Sequence, residues 1–262
     1  MSKTKYAIPN FFTSLNFLMG TFAIVLAPLG ETKLLMPLFG GAERTALEWS
    51  AWLIVYSVLL DKLDGFFAKR LNASSAFGAE FDSLADLVAF GLAPAMLIFH
   101  GVRVLYHDWA QTHIVLQLVV LALYTLCSAW RLARYNVAQS DLKGWFVGMP
   151  TTLSGGWIAL VWLLLWKYRD QLDPATIPWA VYGFHFLLGA LMISSFYISK
   201  LVSRKSRFFN WFQVVNILIG YGCGLAMVFP EVLFVQIILY TGVGFAWGII
   251  KRRSIQQGLG GV

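Results

Sequence analysis

The sequence alternates between long apolar segments and short polar connections. Crossing a bilayer takes about 20 apolar residues in a helix, and eight segments approach this length. They lie near Asn10–Pro28, Trp49–Phe67, Leu84–Gly101, Ile114–Ala133, Leu153–Trp166, Trp179–Ile198, Trp211–Phe229 and Val232–Ile250. A tight turn at Pro230-Glu231 is expected between the last two. The pattern predicts an all-α, polytopic integral membrane protein with about eight transmembrane helices.

Composition and charge support this class and suggest an orientation. The 262 residues are 58% hydrophobic and 13% charged, and the mean hydropathy of +0.68 lies outside the soluble range. Eight spans put both termini on one side, where 15 of the 20 Lys and Arg residues also fall. The positive-inside bias therefore predicts that both termini are cytoplasmic. Because the basic residues are scattered between spans, we expect no nucleic-acid partner.

Four aspartates interrupt this apolar pattern within 26 residues. A carboxylate at bilayer depth costs a few kcal/mol or more. Asp61 and Asp64 are spaced i, i+3, and Asp82 and Asp86 are spaced i, i+4, so each pair shares one helix face. A short polar connection at Arg70–Phe77 can turn the chain back. The two pairs are therefore expected to face each other across a helical hairpin.

Such a cluster of carboxylates is a candidate metal site. Without a counter-charge the four groups would repel one another, and one or two divalent ions would remove that repulsion. Hard oxygen ligands favour Mg²⁺, Mn²⁺ or Ca²⁺ over zinc. A divalent-cation transporter is the alternative from another class. Its site would be expected near the bilayer midplane, whereas these aspartates lie at the cytoplasmic ends of two spans.

Small and basic residues beside the aspartates indicate a phosphorylated ligand. Gly65, Ala68 and Gly78 leave room against the helix backbone. Lys69 and Arg70 adjoin this space and are able to contact phosphate oxygens. The combination favours a pyrophosphate or nucleotide substrate. The alternative is glycines that pack helices together and cations that extend to the membrane interface.

The same residues resemble the signature of a known family. Asp64-Gly65-x2-Ala68-Lys69-x8-Gly78-x3-Asp82-x3-Asp86 is similar to the CDP-alcohol phosphatidyltransferase motif, with every spacing preserved. Asp61, three residues earlier, also matches. Lys69 is the single departure, since the family usually has Arg there. The resemblance implies a membrane-embedded enzyme that displaces CMP from a CDP-lipid with an alcohol.

The resemblance also implies roles for individual residues. Asp61, Asp64, Asp82 and Asp86 would hold one or two Mg²⁺ or Mn²⁺ ions, and Asp86 would be the general base on the acceptor hydroxyl. The CDP-lipid site would be formed by Asn10, Thr13, Gly65, Ala68, Lys69, Arg70 and Gly78.

Further segments resemble one branch of the family, the phosphatidylserine synthases. They are Pro9-Asn10-x2-Thr13-x2-Asn16, Phe81–Ala95, Arg131–Asn136 and Phe146–Pro150. This similarity predicts one domain over residues 1–262, with a catalytic core at about 8–156 and additional helices at about 178–250. It implies CDP-diacylglycerol and L-serine as substrates and phosphatidylserine as product. It also implies a homodimer and favours a prokaryotic inner membrane, and the positive-inside bias puts the active site on the cytoplasmic side.

The Arg131–Asn136 segment offers candidate residues for the acceptor site. Arg131 and Arg134 are spaced i, i+3 and can offer a guanidinium fork to the carboxylate of serine. Asn136 belongs to the same motif. The alternative is ordinary positive-inside anchoring. The arginines could equally bind phosphate, so a same-family transferase for glycerol 3-phosphate or inositol phosphate stays open.

Overall fold

The computed structural model describes residues 4–36, 43–70, 75–138, 144–199 and 207–259. Side chains at 4–7, 64, 66–69, 138, 208, 209, 212 and 252–259 lie outside this description. The described chain is predominantly helical. Its helices are α1 (Thr4–Leu26), α2 (Ala46–Arg70), α3 (Ala76–Asp86), α4 (Ala93–Leu105), α5 (His107–Thr112), α6 (Ile114–Ala138), α7 (Thr151–Lys167), α8 (Ile177–Ile193), α9 (Arg207–Ala226) and α10 (Pro230–Leu259). A π-helical turn at Leu87–Leu92 joins α3 to α4.

Four segments within the described helices are long and apolar enough to cross a membrane. They are Ile8–Leu29, Ala76–Leu105, Ile114–Val137 and Pro230–Lys251. Their outer faces carry large exposed apolar side chains, such as Val115 on α6 and Ile249 on α10. An apolar exterior is what lipid requires of a spanning helix. The all-α membrane class is confirmed at this level, and the count of eight spans and the orientation stay predictions.

The helices approach closely where small residues meet. A Cβ added to Gly20 on α1 would lie 2.6 Å from the Ala89 Cα in the π-helical turn. A Cβ on Gly101 of α4 would collide with the indole ring of Trp162 on α7, which is fully buried. These approaches pack α1 against the π-helical turn and α4 against α7, and residues of α2 belong to the same buried core. The core positions α2 and the π-helical turn that follows α3, and α2 and α3 carry the aspartates.

Helix α3 begins earlier than hydropathy predicts. Ser75 is its N-cap, and its hydroxyl accepts a hydrogen bond from the Gly78 amide at 3.0 Å. The helix therefore starts at Ala76, eight residues before the predicted start at Leu84. The helical path continues through the π-helical turn into α4. Because of this, Asp82 and Asp86 lie inside a helix and are held in register by its backbone.

Two short antiparallel strand pairs within the described residues were not predicted. Strand β1 (Lys33–Leu35) pairs with β2 (Glu43–Thr45), and β3 (Trp145–Val147) pairs with β4 (Tyr197–Ser199). The second pairing ends α8 at Ile193, so the predicted extension of that helix to Ile198 is wrong. Backbone groups of β4 find partners in β3, which a continued helix would not permit.

The turn before the last helix also lies elsewhere than predicted. Helix α9 ends at Ala226, and Met227 and Phe229 have φ angles of 52° and 51°. These left-handed residues reverse the chain. Pro230 is the first residue of α10, where its fixed φ and missing N–H are tolerated. The prediction of a turn at Pro230-Glu231 is therefore wrong by about three residues.

Candidate active site

Three of the four predicted aspartates meet in the structure. Asp61, Asp82 and Asp86 each offer a carboxylate oxygen, and these oxygens all lie within 4.8 Å of one another. Asp86 is buried, with 8% of its surface exposed, and the other two are partly buried. The side chain of Asp64, the fourth predicted ligand, lies outside the described residues. The expected facing of the two pairs across the hairpin is therefore observed for these three carboxylates, which lie within α2 and α3.

Two neighbouring helices hold the cluster in place. Asn16 on α1 is fully buried, and its Nδ2 donates to Asp86 Oδ1 at 3.4 Å. Thr152 on α7 donates from its hydroxyl to Asp61 Oδ2 at 3.2 Å. Each bond fixes one carboxylate from outside the α2–α3 hairpin. The cluster is thus a junction of α1, α2, α3 and α7.

Arg131 on α6 lies beside this junction. Its side chain is 7% exposed, and its Nη1 donates to Thr151 Oγ at the first position of α7, at 3.4 Å. It also interacts electrostatically with Asp86 and Asp61. Within the described residues its Nε has no hydrogen-bond acceptor. A buried cation next to buried carboxylates offsets part of the cost of desolvating both.

Arg134, one helical turn further on, is directed differently. Its guanidinium donates to the carbonyl oxygens of Ile193, Met192 and Val147 at 3.0, 3.3 and 3.5 Å. These carbonyls belong to the end of α8 and to β3, so the Arg134 side chain caps the C-terminus of α8. The predicted guanidinium fork of Arg131 and Arg134 is therefore not assembled toward the aspartates in this structure.

Asn136 is likewise engaged with protein groups. Its Nδ2 donates to Ser83 Oγ at 3.0 Å and to Glu80 Oε2 at 3.3 Å. These bonds tie the end of α6 to α3, on the helix that carries Asp82 and Asp86. Asn136 is close to the cluster in the fold, and its assignment to the acceptor stays a prediction.

Two of the predicted CDP-lipid residues, Gly65 and Gly78, have different surroundings in the structure. A Cβ added to Gly65 would meet no described atom within 4 Å, so this position faces open space. A Cβ on Gly78 would lie 3.0 Å from Ser75 Oγ and 3.3 Å from Asn10 Oδ1, which places Asn10 against α3. Thr13 is buried and donates to the Pro9 carbonyl at 3.2 Å.

The remaining residues of the predicted CDP-lipid site are only partly described. Arg70 is exposed at the end of α2. The side chains of Ala68 and Lys69 lie outside the described residues. The open space at Gly65 excludes helix packing by the described residues as the reason for that glycine.

The donor set fits a hard divalent cation. Each member is a carboxylate, and three oxygens within 4.8 Å would repel one another strongly without a positive charge between them. Carboxylate oxygens are the ligands that Mg²⁺ and Mn²⁺ prefer. The residues present are therefore compatible with the predicted metal.

Comparison with known proteins identifies the family. The model of the CDP-alcohol phosphatidyltransferase family matches residues 6–195. The chain belongs to the CDP-alcohol phosphatidyltransferase family. The predicted resemblance is thereby confirmed, and so is the expectation of an enzyme, since these proteins are phosphotransferases.

Relatives within this family extend the similarity over nearly the whole chain. A Helicobacter pylori protein from strain J99, named CDP-diacylglycerol–serine O-phosphatidyltransferase, is 30% identical over 251 residues, which cover 94% of this chain and 91% of the relative. A Bacillus subtilis protein of the same name is 39% identical over 107 residues, covering 40% of this chain and 56% of the relative. The Helicobacter alignment includes most of the C-terminal region that the sequence motifs leave unassigned.

Three residues that contact this candidate site were not predicted from the sequence. Asn16 lies in the quoted pattern of the first helix, which implies no role for it. Thr151 and Thr152 follow Pro150, a signal for a helix start, and their contacts with Arg131 and Asp61 required the fold. The signal available for Asn16 was its polarity within an apolar segment, since a buried amide needs partners.

Proposed function

We propose that this chain transfers the phosphatidyl group of CDP-diacylglycerol to the hydroxyl of L-serine, giving phosphatidylserine and CMP. The observation that carries the proposal is the buried Arg131 beside the junction of Asp61, Asp82 and Asp86. An acidic site suits a bound cation and a pyrophosphate, and the adjacent guanidinium suits a carboxylate on the acceptor. The choice of serine rests on the names of the relatives aligned over most of the chain.

Asp61, Asp64, Asp82 and Asp86 would hold one or two Mg²⁺ or Mn²⁺ ions. Bound there, such an ion would neutralise charge on the pyrophosphate and on the departing CMP. The protein contributes rigidity, because Thr152 and Asn16 fix the carboxylates of Asp61 and Asp86 before substrate binds. Preorganised charge of this kind lowers the barrier without reorganisation during the reaction.

Asp86 is the proposed general base. It would take the proton of the serine hydroxyl as the oxygen bonds to the phosphorus of the phosphatidyl group, while the bond from that phosphorus to the CMP oxygen breaks. The free hydroxyl is too weak an acid to ionise at neutral pH, so proton transfer to a positioned carboxylate is needed. The hydrogen bond from Asn16 orients Asp86 for this transfer.

Arg131 is the proposed partner of the serine carboxylate. It is buried beside Asp86, and its Nε has no acceptor among the described residues, so one N–H remains for a ligand. Arg134 and Asn136 stay predicted acceptor or phosphate residues, although their hydrogen bonds go to protein groups. Open space at Gly65 would take the CDP moiety, with Asn10, Thr13, Ala68, Lys69, Arg70 and Gly78 as its other proposed contacts.

The proposed setting is a prokaryotic inner membrane with eight spans and cytoplasmic termini. The site would then face the cytoplasm, where soluble serine meets a membrane-borne CDP-lipid. A homodimer is also proposed, from the family resemblance.

The function is tested by product identity. Purified protein in micelles containing CDP-diacylglycerol and Mn²⁺ is incubated with radiolabelled L-serine, and the lipid is extracted. We expect label in phosphatidylserine and one CMP released for each labelled lipid. Label confined to the aqueous phase, together with labelled lipid from glycerol 3-phosphate or inositol phosphate, would assign a different acceptor.

A further inference from the structure

Only one of the two polar atoms of the Asn16 amide has a hydrogen-bond partner among the described residues. Its Nδ2 donates to Asp86 Oδ1, while its Oδ1 accepts no hydrogen bond from any residue that the structure describes. Asn16 has 0% exposure, so bulk water does not satisfy this oxygen. A buried acceptor without a partner lowers the stability of the protein. An unpaired buried acceptor is unusual in a folded protein, and a ligand that donates a hydrogen bond to it would explain it.

The position of this oxygen indicates which ligand atom it would meet. It belongs to the same planar amide that contacts Asp86, the proposed acceptor of the hydroxyl proton. In serine, the carbon next to the hydroxyl-bearing carbon carries the ammonium group. A substrate whose hydroxyl lies against Asp86 would therefore bring an N–H donor within reach of the adjacent amide oxygen.

The other polar groups at the junction are poorer hydrogen-bond acceptors for the substrate ammonium. Arg131 repels a cation, and the Thr152 hydroxyl donates to Asp61. The carboxylates would be shared with the metal. Asn16 Oδ1 is a neutral acceptor beside Asp86, and it matches an ammonium without adding charge to an already acidic site.

We propose that Asn16 selects an amine-bearing acceptor, its Nδ2 orienting Asp86 and its Oδ1 accepting a hydrogen bond from the substrate ammonium. The proposal rests on the proposed serine transfer and adds a residue that discriminates among acceptors. A site built to hydrogen-bond an N–H rejects analogues that lack it, because the buried acceptor is then left unpaired.

The test compares L-serine with 3-hydroxypropionate, which is serine without its amino group. The full-length protein in micelles with CDP-diacylglycerol and Mn²⁺ gives the KM for serine and the Ki of 3-hydroxypropionate as a competitor. Asn16→Leu is expected to raise the KM for serine about tenfold, the scale of one hydrogen bond to a charged group. The Ki of 3-hydroxypropionate is expected to change by less than about threefold, since this ligand never used Oδ1.

Controls separate this role from packing and from the metal. Asn16→Ala is measured alongside, and if turnover is lost in both variants, ligand-induced shifts in melting temperature replace KM and Ki. Ser50→Ala removes a different buried contact of α1, the hydrogen bond from Ser50 to the Ala23 carbonyl, and should leave the serine preference unchanged. The Mn²⁺ concentration for half-maximal activity is recorded for each variant.

Three outcomes overturn the inference. If both ligands weaken by the same factor, Asn16 acts on Asp86 or on packing alone. If the Mn²⁺ requirement rises and the ratio of the two ligands is unchanged, Oδ1 serves the metal. If wild-type protein releases no CMP with serine, the proposed function itself is wrong, whereas serine turnover with an unchanged ratio contradicts only the role of Asn16.

Discussion

Asp86 is the central residue in the chemistry proposed for this site. It lies within reach of two other carboxylates, receives a hydrogen bond from Asn16 and interacts with the buried Arg131. No other described aspartate combines this burial with these contacts. Such an environment holds a carboxylate in one orientation, which a proton acceptor needs.

Asp86→Asn should lower turnover by at least about 10²-fold, because the amide cannot accept the hydroxyl proton and is a poorer metal ligand. CMP release with saturating serine and CDP-diacylglycerol measures this effect. The matched control is Asp108→Asn, an exposed carboxylate on α5, which should retain wild-type turnover. A folded Asp86→Asn protein with turnover close to wild type would remove Asp86 as the base.

Arg131 and Arg134 form a second matched pair, because they share a motif but contact different groups. Arg131→Lys should raise the KM for serine by about tenfold or more, since a lysine cannot reproduce the planar fork. Arg134→Lys should instead lower the melting temperature, because it loses hydrogen bonds to the carbonyls at the end of α8. Kinetics and thermal unfolding of both variants check this division, and a reversed pattern would contradict it.

Among the elements, the α2–α3 hairpin carries the open space proposed for the CDP-lipid. Gly65 near the end of α2 faces open space, as does Gly183 on α8, whereas Gly101 on α4 is pressed against Trp162. Alanine at an open helical position gains about 1 kcal/mol of helix propensity. The three glycines therefore allow packing and ligand binding to be separated.

Gly65→Ala should raise the KM for CDP-diacylglycerol several-fold without lowering the melting temperature, because its methyl enters the ligand space and not the protein core. Gly183→Ala should leave both quantities unchanged or raise the melting temperature slightly. Gly101→Ala should lower the melting temperature by several degrees, since an added methyl overpacks the core. Unchanged CDP-diacylglycerol kinetics in Gly65→Ala would mean that no substrate occupies this space.

The helical spacing of the aspartates was readable from the sequence, because i, i+3 and i, i+4 positions share a face wherever the helix begins. The start of α3 was not predictable from the sequence. Hydropathy locates apolar segments, and it does not locate the hydrogen bond that caps this helix at Ser75. The end of α8 and the role of Arg134 depend on β4 pairing with β3, a contact between residues about 50 positions apart.

In the whole molecule, large apolar side chains of the described helices face outward, and the carboxylates of the aspartate junction lie within α2 and α3. The positive-inside bias then predicts cytoplasmic termini. A green fluorescent protein fused after Val262 should fluoresce in bacterial cells, and an alkaline phosphatase fused there should be inactive. An active phosphatase fusion would reverse the proposed orientation and place the site away from cytoplasmic serine.

If the acidic junction transfers a phosphatidyl group to serine with the help of a divalent ion, CMP release requires both serine and the metal. One CMP-release assay with CDP-diacylglycerol measures this requirement, with L-serine, glycerol 3-phosphate and inositol phosphate as separate acceptors, each with Mn²⁺, with Mg²⁺ and with excess chelator. We predict release with serine alone among the three, abolished by chelator and restored by added metal. CMP release that persists in chelator, or that requires a phosphorylated acceptor and not serine, would contradict metal-dependent transfer to serine.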